Sequence, residues 1–346
     1  MPGVAFHASD VQLSANGPRV IIFGGQRQGI SGAMYSFEQA SGDGYVLMPE
    51  GVEGTGPPPP ARTQPTLTSI GANEAQTQLI LFGGFALNIG PVNDLWRVTI
   101  LLDDASIPYP SWEALQPAGE PPSPRYGHSA TLLGGDRIVY IGGQNDVEQF
   151  NDVFFLAPSS LTWSAPSVSG TPPSVRMKHT VDAIGPSTLL LFGGFNKADR
   201  CYGDAHTLTV DGDSAAWSAT QLEPPPGSKP IPPRAQHATA AAKGGKFVFI
   251  FGGYDGTKVL NDLWVLDTSD MVVRNIAVET PAPEPRSRHT VHIISDLLHV
   301  FGGYDNSKPV SGDVYTLDCS DPSGMEAGGE GGGEKKKEDE KKDEDD

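Results

Sequence analysis

Along the chain, apolar runs of four to eight residues alternate with clusters of Gly, Pro, Asn and Asp, and nowhere does an apolar period of 3.6 residues persist. Such runs predict short β-strands separated by turns. Six of them, among them Val20–Phe23, Leu189–Phe192 and Phe247–Phe251, end in a glycine doublet: Gly24-Gly25, Gly83-Gly84, Gly142-Gly143, Gly193-Gly194, Gly252-Gly253 and Gly302-Gly303. The doublets stand 59, 59, 51, 59 and 50 residues apart, which marks an internal repeat.

Nine or ten residues past the doublet, an acid opens a second apolar run in five repeats: Asp94-Leu95-Trp96, Asp152-Val153-Phe154, Asp204-Ala205-His206, Asp262-Leu263-Trp264 and Asp313-Val314-Tyr315. The first repeat has Ala33-Met34-Tyr35 there. Upstream of the doublets lies Arg-x-x-His, as Arg125 and His128, Arg176 and His179, Arg234 and His237, Arg286 and His289. The first repeat keeps only His7, and the second keeps only Arg62, with Pro65 at the histidine position. A fourth run centres on Trp112, Trp163 and Trp217, with weaker counterparts at Tyr45–Met48 and Met271–Val273. Four short strands per unit predict a four-stranded antiparallel sheet. Because a lone twisted sheet exposes two apolar faces and two edges, the units are expected to stack face to face and close into a ring.

The doublet, the Asp-[Leu/Val]-aromatic step and the tryptophan run, at this spacing, resemble kelch repeats over residues 4 to 318. The resemblance implies an all-β fold, a six-bladed kelch-type β-propeller over residues 1–319. It also implies strands A to D from axis to rim, with Arg-x-x-His opening strand A, the doublet ending strand B, and the B–C and D–A loops on one face. The sixth repeat lacks a tryptophan run: either its blade has three strands, or residues 1–6 add a short outer one. The three-stranded form is expected, since no Pro-rich linker follows it as it does elsewhere.

Recurrence assigns most polar motifs to the scaffold. The doublet glycines are expected at positive φ, and the aromatics after the acid between blades. Five histidines placed around a ring do not converge on one ion, so Arg and His are expected to bond backbone and blade aspartates; no metal or cofactor is assigned. His206 stands where other blades have an aromatic, beside Cys201 and Asp204, and is read as part of the repeat. No catalytic residue is assigned.

Composition narrows the function. The 42 acidic and 24 basic residues leave a net charge of −18, which argues against a chain that wraps nucleic acid. Two cysteines, no leader-like start and no membrane-length apolar run point to a cytoplasmic protein without a membrane partner. Residues 320–346 carry 11 acids against five lysines and almost nothing apolar, so a disordered acidic tail is expected, a solvating segment before a contact for a basic partner.

The remaining variation sits on the loops. The B–C loops begin Gln26-Arg27, Phe85-Ala86, Gln144-Asn145, Phe195-Asn196, Tyr254-Asp255 and Tyr304-Asp305, aromatics and polar groups suited to a protein partner. In kelch adaptors the residue two past the Arg often reaches the binding mouth; here it is Gln64, Gly127, Lys178, Gln236 and Arg288, which makes a basic pocket only partial. The D–A connectors are stiffened by Pro57–Pro60, Pro121, Pro122, Pro124, Pro172-Pro173, Pro224–Pro226, Pro281, Pro283 and Pro285. The candidate partner-binding residues are therefore Phe85, Gln144, Asn145, Lys178, Phe195, Tyr254, Asp255, Arg288, Tyr304 and Asp305. The reading is a protein-interaction module; the alternative is a small-molecule enzyme, such as a sugar isomerase or mutarotase, at the central opening.

Overall fold

The computed structural model describes residues 7–14, 17–26, 29–38, 44–48, 56–72, 76–101, 110–198, 200–278, 282–308 and 314–325. Residues 1–6, Arg27, Pro281, Asp313 and the tail from 326 onward lie outside them. The alternation of apolar and polar positions becomes antiparallel sheets, one per repeat. In the first, Ala8–Ser14, Gly17–Phe23, Met34–Glu38 and Gly44–Met48 are strands A to D. The second uses Thr66–Ala72, Gln76–Phe82, Leu95–Leu101 and Ser111–Leu115, and the third Ser129–Leu133, Arg137–Gln144, Gln149–Ala157 and Thr162–Ser164. The fourth has Thr180–Ala183, Thr188–Phe192, Ala205–Asp211 and Ser214–Thr220; the fifth has Ala238–Ala242, Phe247–Tyr254, Val259–Asp267 and Val272–Ile276. The sixth has three strands among the described residues, Thr290–Ile294, Leu297–Phe301 and Tyr315–Asp318.

The A strands pack on one another in sequence, and that of the sixth sheet packs on that of the first. They form the innermost circle. Each junction between neighbouring sheets has its own apolar cluster; the last joins Val20, Ile22 and Phe37 of the first sheet to Ile294 and Phe301 of the sixth. Closure is completed by Phe37 edge-on to Phe301 at 5.2 Å and by hydrogen bonds His7 Nε2 to Thr290 Oγ1 (3.0 Å) and Ser9 Oγ to His292 Nε2 (2.8 Å). Among the described residues no helix is long and apolar enough to cross a membrane.

The connectors do more than hold the rim stiff. The segments entering blades three, four and five run parallel to the outer strand of the blade they lead into: Ala118 bridges Thr162, Ser167–Gly170 pairs with Ser214–Trp217, and Glu223 bridges Val272. An exposed sheet edge is thereby covered by the chain itself. Close approach needs glycine: a Cβ on Gly119 or Gly170, both at positive φ, would collide with the carbonyl oxygen of Trp163 or Trp217. Residues 320–325, which fall within the expected tail, are among the described ones and make contacts with the ring. Arg274 donates to the carbonyls of Pro322 (2.5 Å) and Ser323 (3.0 Å), and Met325 packs on the cluster shared by blades five and six.

Candidate functional site

The loop face is assembled from the repeat's own polar residues. Arg62, Arg125, Arg176 and Arg234 are buried, and each grips the acid of its blade with two bonds, to Asp94, Asp152, Asp204 and Asp262, at 2.6–2.9 Å. The same guanidiniums donate to the carbonyl of the first doublet glycine, Gly83, Gly142, Gly193 and Gly252. Against the upward pull of burial, these bonds hold Asp94, Asp204 and Asp262 below the usual carboxylate range. Trp96 and Trp264 add an indole N–H to the same carboxylates (2.7 and 2.6 Å), and His206 supplies the equivalent contact to Asp204 at 3.0 Å. His206 is thus a substitute for tryptophan within the clamp.

The second doublet glycine links blades. Its N–H donates to the carbonyl of the next repeat's arginine, as in Gly84 to Arg125, Gly143 to Arg176, Gly194 to Arg234 and Gly253 to Arg286. All twelve doublet glycines have φ between 58° and 112°, as expected.

The histidines serve the seams, with partners other than the aspartates expected. His128 bonds Thr66, His179 bonds Ser129, His237 bonds Thr180 and His7 bonds Thr290, each through Nε2 to a hydroxyl of the preceding blade. The hydroxyl stands one residue past the histidine position of its own repeat. Where that place is Ala238, His289 turns to the carbonyl of Phe251 (3.1 Å); where it is Ala8, the next repeat has Pro65 instead of histidine. Burial, reinforced by the neighbouring arginine, depresses His128 and His237 far below the usual value and His179 and His289 to about 3.

Above the histidines the residues two past each arginine form the mouth. Gln64, Gly127, Lys178, Gln236 and Arg288 all have φ between 55° and 66°, and their main chains form a relay: the N–H of Gly127, Lys178, Gln236 and Arg288 each donates to the carbonyl of the preceding member. A non-glycine residue at such φ is uncommon and is held here by its neighbours. The five residues surround a cavity of about 150 Å³ floored by His7, His128, His179, His237 and His289. Lys178 and Arg288 are, besides the histidines, the two basic side chains among its lining residues. Burial, with the charge of Arg288 added, lowers the Lys178 amine to about 7. Gln64 Oε1 is buried without a partner among the described residues, whereas Gln236 Oε1 accepts from Arg288 Nε at 2.8 Å.

The B–C loops reach this mouth through matching bridges: Thr63 pairs with Phe85, Tyr126 with Gln144, Met177 with Phe195, Ala235 with Tyr254 and Ser287 with Tyr304. Phe195 lies under Lys178 at 5.4 Å, and Tyr304 under Arg288 at 5.0 Å. Phe85 meets Tyr126 edge-on, Gln144 donates to the Tyr126 hydroxyl at 2.6 Å, and the Tyr254 hydroxyl donates to Gly256 O. Asn145, Asp255 and Asp305 turn an oxygen inward, accepting backbone N–H groups two and three residues ahead and fixing the loops. Outside the sequence-derived set, Leu87 (44%), Ile89 (62%) and Val147 (84%) are exposed on the adjacent loops of blades two and three. They fall past the first two loop residues, in a part of the repeat with no motif to mark it.

A family model described as the "KLHDC2/KLHL20/DRC7 Kelch-repeats domain" matches residues 7–226 and 187–327. Among curated proteins, the chain is 37% identical over 217 residues to "Dynein alpha chain, flagellar outer arm" of Chlamydomonas reinhardtii (57% of this chain, 5% of that protein). It is 36% identical over 202 residues to "Tip elongation aberrant protein 1" of Schizosaccharomyces pombe (55% and 16%), and 25% identical over 268 residues to "Adagio protein 3" of Arabidopsis thaliana (75% and 41%). The chain therefore spans less than half the length of each of these relatives. With one sheet per repeat, the Arg–Asp clamps and a family match that spans the described residues, this protein belongs to the kelch-repeat family, whose domains are generally non-enzymatic protein-interaction modules.

Proposed function

We propose that the protein docks a partner protein through its loop face, where the partner lays apolar side chains on Leu87, Ile89 and Val147 and directs an acidic group to the mouth. One observation carries the reading: a cavity whose two basic lining side chains, besides the histidines, are Lys178 and Arg288, in a chain of net charge −18. Local positive charge in an acidic protein is a recognition feature, because the surrounding field repels the same ligand elsewhere. The aromatic planes of Phe195 and Tyr304 keep the two cations in place, and the exposed apolar groups supply the contact area that charge alone lacks.

The test is affinity capture from cell lysate with wild type, Tyr254→Ala/Tyr304→Ala and Ile89→Asp/Val147→Asp. Both double variants are expected to melt within a degree or two of wild type and to lose the proteins that wild type retains. Undiminished retention by either would show that recognition lies elsewhere.

A further inference from the structure

The connectors that lead into strand A show a period of three. The residue three before the buried arginine is itself buried in repeats two to six, as Pro59, Pro122, Pro173, Ile231 and Pro283, while the two residues between it and the arginine are exposed or half-exposed. Three residues per turn is the period of a polyproline II helix, so one edge of each connector anchors in the ring and two edges face out. Of these repeats, three and five alone carry proline both four and one before the arginine: Pro121 and Pro124, Pro230 and Pro233. All four are exposed.

In repeat five the strip is held at both ends. Before it, the N–H of Ser228 donates to the carbonyl of Pro225 at 2.9 Å; after it, Arg234 grips Asp262, and its Nε donates to the carbonyl of Pro232 at 3.3 Å. Pro230, Pro232 and Pro233 fix their own φ and push the residues before them, Lys229, Ile231 and Pro232, toward the extended region. Ile231, 6% exposed, packs in the apolar cluster shared by blades four and five. The pairs Lys229-Pro230 and Pro232-Pro233 stand on the outward edges, with Lys229, Pro230 and Pro233 exposed and Pro232 half-exposed. Beside them lies Gly203 of the blade-four loop, where a Cβ would come within 3.1–3.2 Å of Pro233. Its missing side chain leaves the proline uncovered.

We propose that residues 229–233 are a docking ridge for a partner protein's SH3-type domain, whose groove of aromatic rings takes Lys229-Pro230 in one pocket and Pro232-Pro233 in the next, while Ile231 points away into the ring. Such grooves read X-Pro pairs on a polyproline II strand, and a strand already fixed in that form loses little entropy on binding. The first pocket is bordered by acid, because Lys229 stands there; the matching place of repeat three holds Glu120, which such a pocket repels. The ridge uses none of the mouth residues and does not rest on the docking proposed for them.

The probe is an SH3 domain chosen from an array of such domains for binding the capped synthetic peptide Gly-Ser-Lys-Pro-Ile-Pro-Pro, which stops short of the buried arginine, and then titrated against the full chain by calorimetry. The full chain is expected to bind this domain at least as tightly as the peptide does, and excess peptide to displace it. Pro230→Ala/Pro233→Ala is expected to lose at least tenfold in affinity and Lys229→Glu at least threefold, whereas Pro121→Ala/Pro124→Ala and Lys178→Glu are expected to bind as wild type does. If the Pro230/Pro233 variant fails to fold, Lys229→Glu and displacement by the peptide carry the comparison. An array without a domain that takes the peptide, a chosen domain that ignores the full chain, undiminished binding by either ridge variant, or a loss confined to Pro121→Ala/Pro124→Ala would each overturn the proposal.

Discussion

Arg234 shows what a recurring residue does here. Its guanidinium is fully buried, bonds both oxygens of Asp262 and reaches the Gly252 and Pro232 carbonyls. Removing one partner of a buried pair leaves unmet groups, so Arg234→Met is expected to cost about 3–5 kcal/mol, read from urea unfolding. The histidine seams are subtler. Thr180→Val takes away the hydroxyl at His237 and is expected to cost about 1–3 kcal/mol. The sequence showed the arginines and histidines as scaffold but not the histidine partners. Those hydroxyls alternate between Thr and Ser and vanish at Ala8 and Ala238, so no motif marks them.

Two titrations follow from burial. His128, His179, His237 and His289 have lower pKa folded than unfolded, so the unfolded chain binds more protons below about 6.5, and stability falls as pH drops from there toward 3. Each of these four contributes a slope of up to about 1.4 kcal/mol per pH unit in that window, and acid unfolding followed by circular dichroism is expected to begin above pH 4. In the proposed docking, Lys178 bears on recognition instead. An acidic ligand favours the charged amine, so capture is expected to take up a proton and to weaken between pH 6.5 and 8.5; Lys178→Arg is expected to remove that dependence.

Among the elements, the connectors were the least legible. Ser167–Gly170 is exposed throughout, so it has no alternation to announce a strand, yet it pairs along blade four. Its register depends on the approach of Gly170 to Trp217, and Gly170→Ala is expected to cost about 1–3 kcal/mol by urea unfolding. Strands B and C were legible in place from the doublet and the acid but not in extent: in blades three and five strand B runs through the doublet to Gln144 and Tyr254, and strand C starts before the acid, at Gln149 and Val259. Blade six has three strands among the described residues, and residues 1–6, the alternative outer strand, lie outside them; the turn to Met325 was not legible, because its contacts come from Arg274 and a cluster far back in the chain. Deleting 326–346 is expected to leave the melting temperature intact, and deleting from 319 to lower it.

At the scale of the molecule, the repeats are interchangeable as girders and unlike as loops. Six seams of apolar side chains, reinforced at four by hydroxyl–imidazole bonds and at five by glycine–arginine main-chain bonds, carry the ring, so the residues that recur are committed to the scaffold. The proposed recognition rests on what differs: Lys178 and Arg288 among five mouth positions, and Leu87, Ile89 and Val147 on two loops of one sector. The five mouth positions were legible from their place after the arginine; their left-handed main-chain relay was not, because Gln, Lys and Arg do not advertise a positive φ.

The most direct test reverses the mouth and leaves the ring alone: quantitative affinity capture with Lys178→Glu/Arg288→Glu against wild type, at matched melting temperature. The expected result is loss of the proteins that wild type retains at low salt. The same proteins retained in full by the reversed mouth would contradict the account.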